Sequence, residues 1–287
     1  MNRVLVLLVL GCILVSAPAQ EDTSADTALA SVLKSSLCFR PLVAAVFEPR
    51  IGFQFQPSLE RLRLDIGFSA DVLNTSLARD EASADDARLA LGVDAFTYSR
   101  LRSEANLKFP VEMVDYMFGI NASSRWRLDG RMLSARVRLA HISAHLADGF
   151  ADSTGMLRQR PFIYSREFLD AIVAHEWLAM NVRVYGGGTV LLTVKELPTP
   201  VSRIIPQFGV EWSGRLGVPV VAGYDVRIVG IGGVTQAVHA AQFGAVVLDR
   251  STGRVALCSY YYAGFSMHGM WFDRRDQYWA FGTQVLF

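Results

Sequence analysis

Between Arg61 and Val72 the chain alternates without a break: Leu62, Leu64, Ile66, Phe68, Ala70 and Val72 fall on one side, and Arg61, Arg63, Asp65, Gly67, Ser69 and Asp71 on the other. A side-chain period of two belongs to a β-strand, where successive Cβ atoms point to opposite faces, and is incompatible with a helix. Ile51, Phe53 and Phe55 alternate with Gly52, Gln54 and Gln56 in the same way. Alternation alone leaves two solutions open. In a soluble antiparallel sheet the apolar face covers a core, whereas in a membrane barrel it meets lipid and the polar face lines a lumen.

Three features favour the barrel. The alternating runs reach about ten residues or more, the length of a tilted membrane strand rather than the five or six of an ordinary soluble one. Polar faces carry both signs of charge, as in Arg102, Glu104, Asn106 and Lys108 opposite Leu101, Ala105, Leu107 and Phe109, which suits a salt-bridged lumen. At the end of the chain, Trp279, Phe281, Thr283, Val285 and Phe287 share one face. That pattern resembles the closing-strand signal of bacterial outer-membrane barrels and implies recognition by the barrel-assembly machinery. Mean hydropathy is +0.26 and aromatic content 11%, yet after the first twenty or so residues no apolar run is long enough for a spanning helix.

The start reads as a secretory signal over 1–19: Arg3 supplies the positive end, Val4 to Val15 the apolar core, and Ala17-Pro18-Ala19 a small-x-small cleavage site. Cys12 sits inside that core, which continues through Ile13-Leu14-Val15 and argues against lipoprotein processing. Residues 20–48 read as a periplasmic lead-in or short plug, mildly helical over Ala28 to Leu37, with a flexible tail as the rival reading. Residues 49–287 form a single all-β unit, an antiparallel transmembrane β-barrel in a Gram-negative outer membrane. Asp129-Gly130 and Ser251-Thr252-Gly253 mark tight turns. Thirteen alternating segments can be picked out, and because single-chain bacterial barrels have even strand numbers the expectation is about twelve. With 28 Lys and Arg against 27 Asp and Glu, the charge balance gives no reason to propose nucleic acid as a partner. Cys38 and Cys258 remain in the mature chain, and their spacing fits no metal motif and leaves their pairing open.

Chemistry concentrates in Leu133 to Asp148. Leu133, Ala135, Val137 and Leu139 make an apolar face that is then interrupted by His141, Ser143 and His145. The next strand is interrupted likewise: Ile163, Ser165, Glu167, Leu169, Ala171 and Val173 share a face. A hairpin folded about Ser153 or Thr154 places His141 opposite residue 165 or 166, with residue 167 near Leu139, so the two interruptions coincide. Such a cluster permits acyl transfer. His141 and Ser143 lie roughly 7 Å apart between Cα atoms, close enough for the imidazole to take the hydroxyl proton. Ser165 or Glu167 then fixes the other ring nitrogen, with His145 and Arg166 as secondary members. Asp148 or Asp152 is a candidate ligand for a hard cation such as calcium. At a membrane interface the substrate is a lipid ester.

Two resemblances attach to these residues. His141 to Phe150 (HISAHLADGF), with Tyr164 to Phe168 (YSREF), Arg183 to Gly188 (RVYGGG) and Asp115-Tyr116, resembles a bacterial family catalogued as domain of unknown function 1207; this implies an outer-membrane barrel and no activity. More locally, His141-Ile142-Ser143 followed by Tyr164-Ser165-Arg166 is similar to the His-x-Ser and downstream Asn-Arg of outer-membrane phospholipase A. That resemblance implies a twelve-stranded barrel, an outward serine nucleophile with a histidine base, calcium dependence and activation as a homodimer. This chain departs from the pattern: Ala144-His145 stand where that family has Asn-Gly, and Ser165 replaces its orienting asparagine, a loss for which Glu167 would compensate.

Against the hydrolase stand two blander readings, a pore or transport barrel and a structural or adhesion barrel. In both, His141, Ser143 and His145 form a polar network at a loop base, turned inward if a bulge shifts the register. Ser165, Arg166 and Glu167 are then interfacial or part of a lumen charge set. His175 and His239 show no partner in sequence. Ser266-Met267-His268-Gly269 reads as an interface belt beside an outer loop, and Gly186-Gly187-Gly188 as close strand packing rather than a phosphate loop.

Overall fold

The computed structural model describes residues 37–77, 87–195, 197–250 and 253–286. Twelve strands follow one another: β1 (Ile51–Gln56), β2 (Arg61–Ser76), β3 (Ala87–Arg102), β4 (Val111–Leu128), β5 (Arg131–Leu146), β6 (Tyr164–Trp177), β7 (Val182–Val194), β8 (Ile204–Leu216), β9 (Val218–Ile231), β10 (Val234–Arg250), β11 (Gly253–Phe265) and β12 (Arg275–Leu286). Each pairs antiparallel with its chain neighbours, and β1 closes the cylinder against β12 from Ile51↔Val285 to Phe55↔Phe281. Closure removes the exposed edges that an open sheet would present. The connections 103–110, 147–163, 195–203 and 266–274 leave from one end, the loop end. At the other, Gly130 and Gly217 take the positive φ that tight hairpins need (64° and 75°).

The two strand faces meet opposite surroundings. Ile66, Phe68, Phe118, Ile120, Val173, Phe208, Leu257 and Phe281 stand exposed on the outside, while Arg63, Asp65, Asp94, Arg136, Arg138, Asp170, Arg183, Glu211 and Asp225 are buried inside. Inside, the charges pair, as in Arg63 with Asp65 at 2.6 Å and Arg183 with Glu211 at 3.3 Å. This is a soluble protein inverted, and no second layer covers the apolar faces of the described strands. At Gly187 an added Cβ would fall 1.9 Å from the Ala171 carbonyl oxygen, so β6 and β7 approach closely there.

Residues 37–50 lie in the lumen. Cys38 N–H donates to Asp71 of β2 (2.7 Å), Val43 N–H to Glu211 of β8 (2.6 Å) and Arg50 to Gln242 of β10 (3.2 Å), while Arg136 of β5 donates through both terminal nitrogens to Glu48 (2.5 and 2.9 Å). A segment that reaches strands on every side of a closed cylinder runs through its middle. Cys38 and Cys258 are both buried free thiols.

Two sequence expectations are corrected. Leu101 to Phe109 is not a strand of its own: β3 runs through to Arg102, and the rest is a loop in which Asn106 and Leu107 take positive φ (62° and 56°). A turn built on two left-handed residues breaks the alternation the side chains imitate. Ser266 to Phe272 is no interface belt but folds inward, buried at the loop end of the lumen. The expected signal segment, all but the last residue of the expected helical stretch Ala28 to Leu37, Ser251-Thr252 and Phe287 lie outside the described residues.

Candidate active site

The β5–β6 hairpin is centred on Thr154, so Leu139 pairs with Leu169, His141 with Glu167 and Ser143 with Ser165. This corrects the expected register, which put residue 165 or 166 opposite His141: folding about 154 carries position 141 to 167. Ala140, Ile142 and Ala144 are buried towards the lumen, so His141, Ser143 and His145 share the outward face with Ser165 and Glu167. On the other flank β4 sets Phe118 beside His141 and Tyr116 beside Ser143.

Within this patch, His141 Nδ1–H donates to Glu167 Oε1 at 2.9 Å, both side chains standing about two-fifths exposed, at 43% and 40%. A carboxylate accepts only, so the bond holds the ring in the Nδ1–H tautomer and leaves Nε2 with its lone pair. Ser143 is the next outward residue along β5, and no hydrogen bond links its hydroxyl to the imidazole among the described residues. The arrangement puts a hydroxyl, an imidazole and a carboxylate on one outward face. His145 lies near the same face, its ring 5.9 Å from that of Tyr116 and roughly edge-on.

The remaining sequence candidates are placed differently. Ser165 sits directly across from Ser143, whereas Glu167, not Ser165, holds the imidazole. Arg166 points the other way, into the lumen, where its guanidinium lies 4.4 Å from the Tyr164 ring centre and 5.4 Å from that of Phe272. Asp152 is exposed, and its Oδ1 accepts from Thr154 N–H (2.8 Å), Thr154 Oγ1 (2.6 Å) and Met156 N–H (3.1 Å). Those donors hold its carboxyl below the usual range. Asp148 Oδ1 accepts from Gly149 N–H at 2.9 Å. Both carboxylates cap their own loop, and no three His, Cys, Asp or Glu side chains converge among the described residues.

Sequence reasoning missed two features. Tyr116, quoted only as part of a motif, stands beside Ser143 with a phenol that can donate at the patch; its place on the Tyr116, Phe118, Ile120 face was the available signal. Inside the barrel, His268 Nδ1–H donates to Asp115 Oδ2 (2.8 Å) and Gly269 N–H to Asp115 Oδ1 (2.8 Å), pinning the 266–274 loop to β4. No local pattern announces a contact across 153 residues. His239 does have a partner, its Nδ1 lying 2.7 Å from the Tyr224 hydroxyl, and His175 packs on Trp177 at 4.5 Å.

Comparison with known proteins agrees with this geometry at the level of fold. The family described as "Protein of unknown function (DUF1207)" matches residues 74–287. No curated protein matches the chain. Among solved structures, outer membrane phospholipase A from Escherichia coli superposes with a TM-score of 0.58 at 12% identity, over 92% of this chain and 98% of that one. Its active-site asparagine-to-alanine mutant at pH 6.1 gives 0.60 at 12%, over 92% and 99%. The Salmonella typhi outer membrane phospholipase dimer with bound calcium gives 0.58 at 12%, over 91% and 98%. At that identity the likeness establishes an outer-membrane-type barrel and nothing finer.

Proposed function

The chain belongs to the DUF1207 family, whose description assigns no activity, and from the site itself we propose a lipid-ester hydrolase of the bacterial outer membrane. The observation that carries this is the outward His141–Glu167 hydrogen bond beside Ser143, on a surface otherwise given to apolar side chains. Ionisable groups on the lipid face of a barrel are unfavourable, by roughly 2–4 kcal/mol for a basic side chain at the midplane and about 0–1 near the interface. A paired carboxylate and imidazole at that surface call for a use.

In this reading Nε2 of His141 accepts the Ser143 hydroxyl proton as Oγ attacks the ester carbonyl of a phospholipid in the adjoining leaflet. The imidazolium is stabilised by Glu167 and returns the proton to the departing alkoxide, leaving an acyl-serine. Water, deprotonated by the same nitrogen, then releases a fatty acid and restores the serine. Tyr116 donates to the developing oxyanion. No step is routed through a cation. A homodimer remains part of the reading, since the patch is outward and a second barrel could cover it.

Lumen occupancy by residues 37–50 speaks against an open pore. The test is phospholipid hydrolysis in mixed micelles, with calcium and with chelator, comparing the parent with Ser143→Ala. Both fold and show heat-modifiable migration, and the variant loses at least about 10³-fold in rate, on the scale set by removal of an activated nucleophile. Equal rates, or no hydrolysis by the parent in either condition, would leave the structural or adhesion reading standing.

A further inference from the structure

Towards the loop end the lumen holds a partly open cavity of about 90 Å³ between residues 45–48, the 266–272 loop and strands β5 to β11. Its wall divides in two. From β7 to β10 it is an apolar arc that includes Leu191, Ile205, Ile231 and Val238, beside which stand Arg138 of β5 and Arg166 of β6, with Arg227 on β9. A polar lumen is the norm for such barrels, so an apolar arc facing inward already asks what it holds.

The charges ask the same question. Glu48 and Asp170 are the carboxylates in the wall, and both are shared between Arg138 and Arg136 behind it: Glu48 lies 2.5 and 3.7 Å, and Asp170 3.5 and 3.7 Å, from Arg136 and Arg138 respectively. Arg166 and Arg227 have no carboxylate within salt-bridge distance among the described residues. Asp225, two residues along β9 from Arg227, is taken by the Tyr185 hydroxyl and Gln207 Nε2, both at 2.7 Å. Arg138 is only 2% exposed, and among the described residues its Nε and Nη1 have no hydrogen-bond partner; neither have Nε and Nη2 of Arg166 or Nε of Arg227. Four guanidiniums thus face three carboxylates, since the partners of Asp225 are neutral and leave its charge beside Arg227. Cavity water can satisfy the N–H groups but cannot cancel the charge.

We propose that this cavity binds a single-chain anionic amphiphile, its carboxylate or phosphate head held by Arg138, Arg166 and Arg227 and its alkyl chain laid along the β7–β10 arc. The guanidinium fork matches either head through paired hydrogen bonds, and the arc supplies apolar contact that inorganic anions cannot use. The site lies on the opposite face of the wall from Ser143, and its occupation does not depend on the hydrolase reading.

The test uses the full mature protein refolded in a neutral detergent and decanoate labelled with ¹³C at the carboxyl. Saturable binding to the parent is expected, weakened at least tenfold in Arg166→Met/Arg227→Met and unchanged in Ser143→Ala. Decyl phosphate and unlabelled decanoate displace the probe, and their order identifies the preferred head; decanol, acetate and inorganic phosphate displace it at least tenfold less well. Ile231→Trp, which fills the arc and leaves every arginine in place, also abolishes binding and guards against a misfolded double variant. Folding of each is checked by heat-modifiable migration. Equal affinity in parent and folded variants, displacement by decanol as strong as by decanoate, or uptake that never saturates would overturn the proposal.

Discussion

Glu167 is the residue on which the proposed chemistry can be separated from packing. Its carboxylate is two-fifths exposed and its one described partner is His141 Nδ1, so its replacement disturbs no core, and surface changes of this kind fall within about 0.5 kcal/mol in stability. If it orients a catalytic imidazole, Glu167→Ala lowers hydrolysis about 10²-fold with the unfolding midpoint unmoved. Glu167→Gln, whose amide oxygen still accepts from Nδ1–H, retains more, losing about tenfold. Parallel rate measurements on phospholipid micelles and urea titrations check both, and an Ala variant as active as the parent would assign Glu167 to the surface alone. At this scale the sequence carried the outward face correctly, because period two needs no tertiary knowledge: His141, Ser143, Ser165 and Glu167 all fall on it. Which residue faced which did not follow so simply, since the partner of His141 moves two places for each one-residue shift of the hairpin centre. Arg166 stood in sequence beside Ser165 and Glu167, yet one step along a strand is a step through the wall.

Strands were legible as elements, and so was the tight Asp129-Gly130 turn, whereas the longer loops were not. β2, β5 and β12 show their alternation in the letters alone, whereas Leu101 to Phe109 mimics a strand by side-chain chemistry while Asn106 and Leu107 turn the backbone left-handed. The 266–274 loop was misplaced for a related reason. Met267, Met270, Trp271 and Phe272 look like a girdle when read locally, and only the bonds from His268 and Gly269 to Asp115 reveal that they turn inward. Asp115 is fully buried and accepts both bonds. Asp115→Ala therefore leaves two donors unsatisfied, and each buried polar group so orphaned costs about 1–3 kcal/mol. The expected outcome is local: amide exchange across 266–272 accelerates while the strand amides of β11 and β12 keep their protection. Uniform loss of protection through the barrel would mean instead that the loop is part of the cylinder's own cooperativity.

For the whole molecule, the decisive question is what fills a cylinder whose outside is already apolar. The interior is held by paired charges and by chain threaded between them, together with a buried apolar cluster that includes Phe96, Met113, Met117, Phe168, Met267 and Trp271. Glu48 is the centre of that arrangement. It is 2% exposed, receives both terminal nitrogens of Arg136 and lies 3.7 Å from Arg138. Nothing in the sequence around Glu48 marks it, because its partners are some ninety residues away in β5. Removing one member of such a set leaves the others charged and uncompensated, which costs about 3–5 kcal/mol, whereas replacing the pair together by apolar groups can be neutral. Glu48→Leu alone should therefore lower the free energy of unfolding from lipid vesicles by about that amount, and Glu48→Leu with Arg136→Leu should recover most of it. Because Glu48 also fastens residues 37–50 inside the lumen, the single variant should pass ions across a planar bilayer where the parent does not, as the segment loosens. A stability loss without any rise in conductance would show that the segment stays seated through its bonds to Asp71, Glu211 and Gln242, and that the lumen is closed by several fastenings rather than by one.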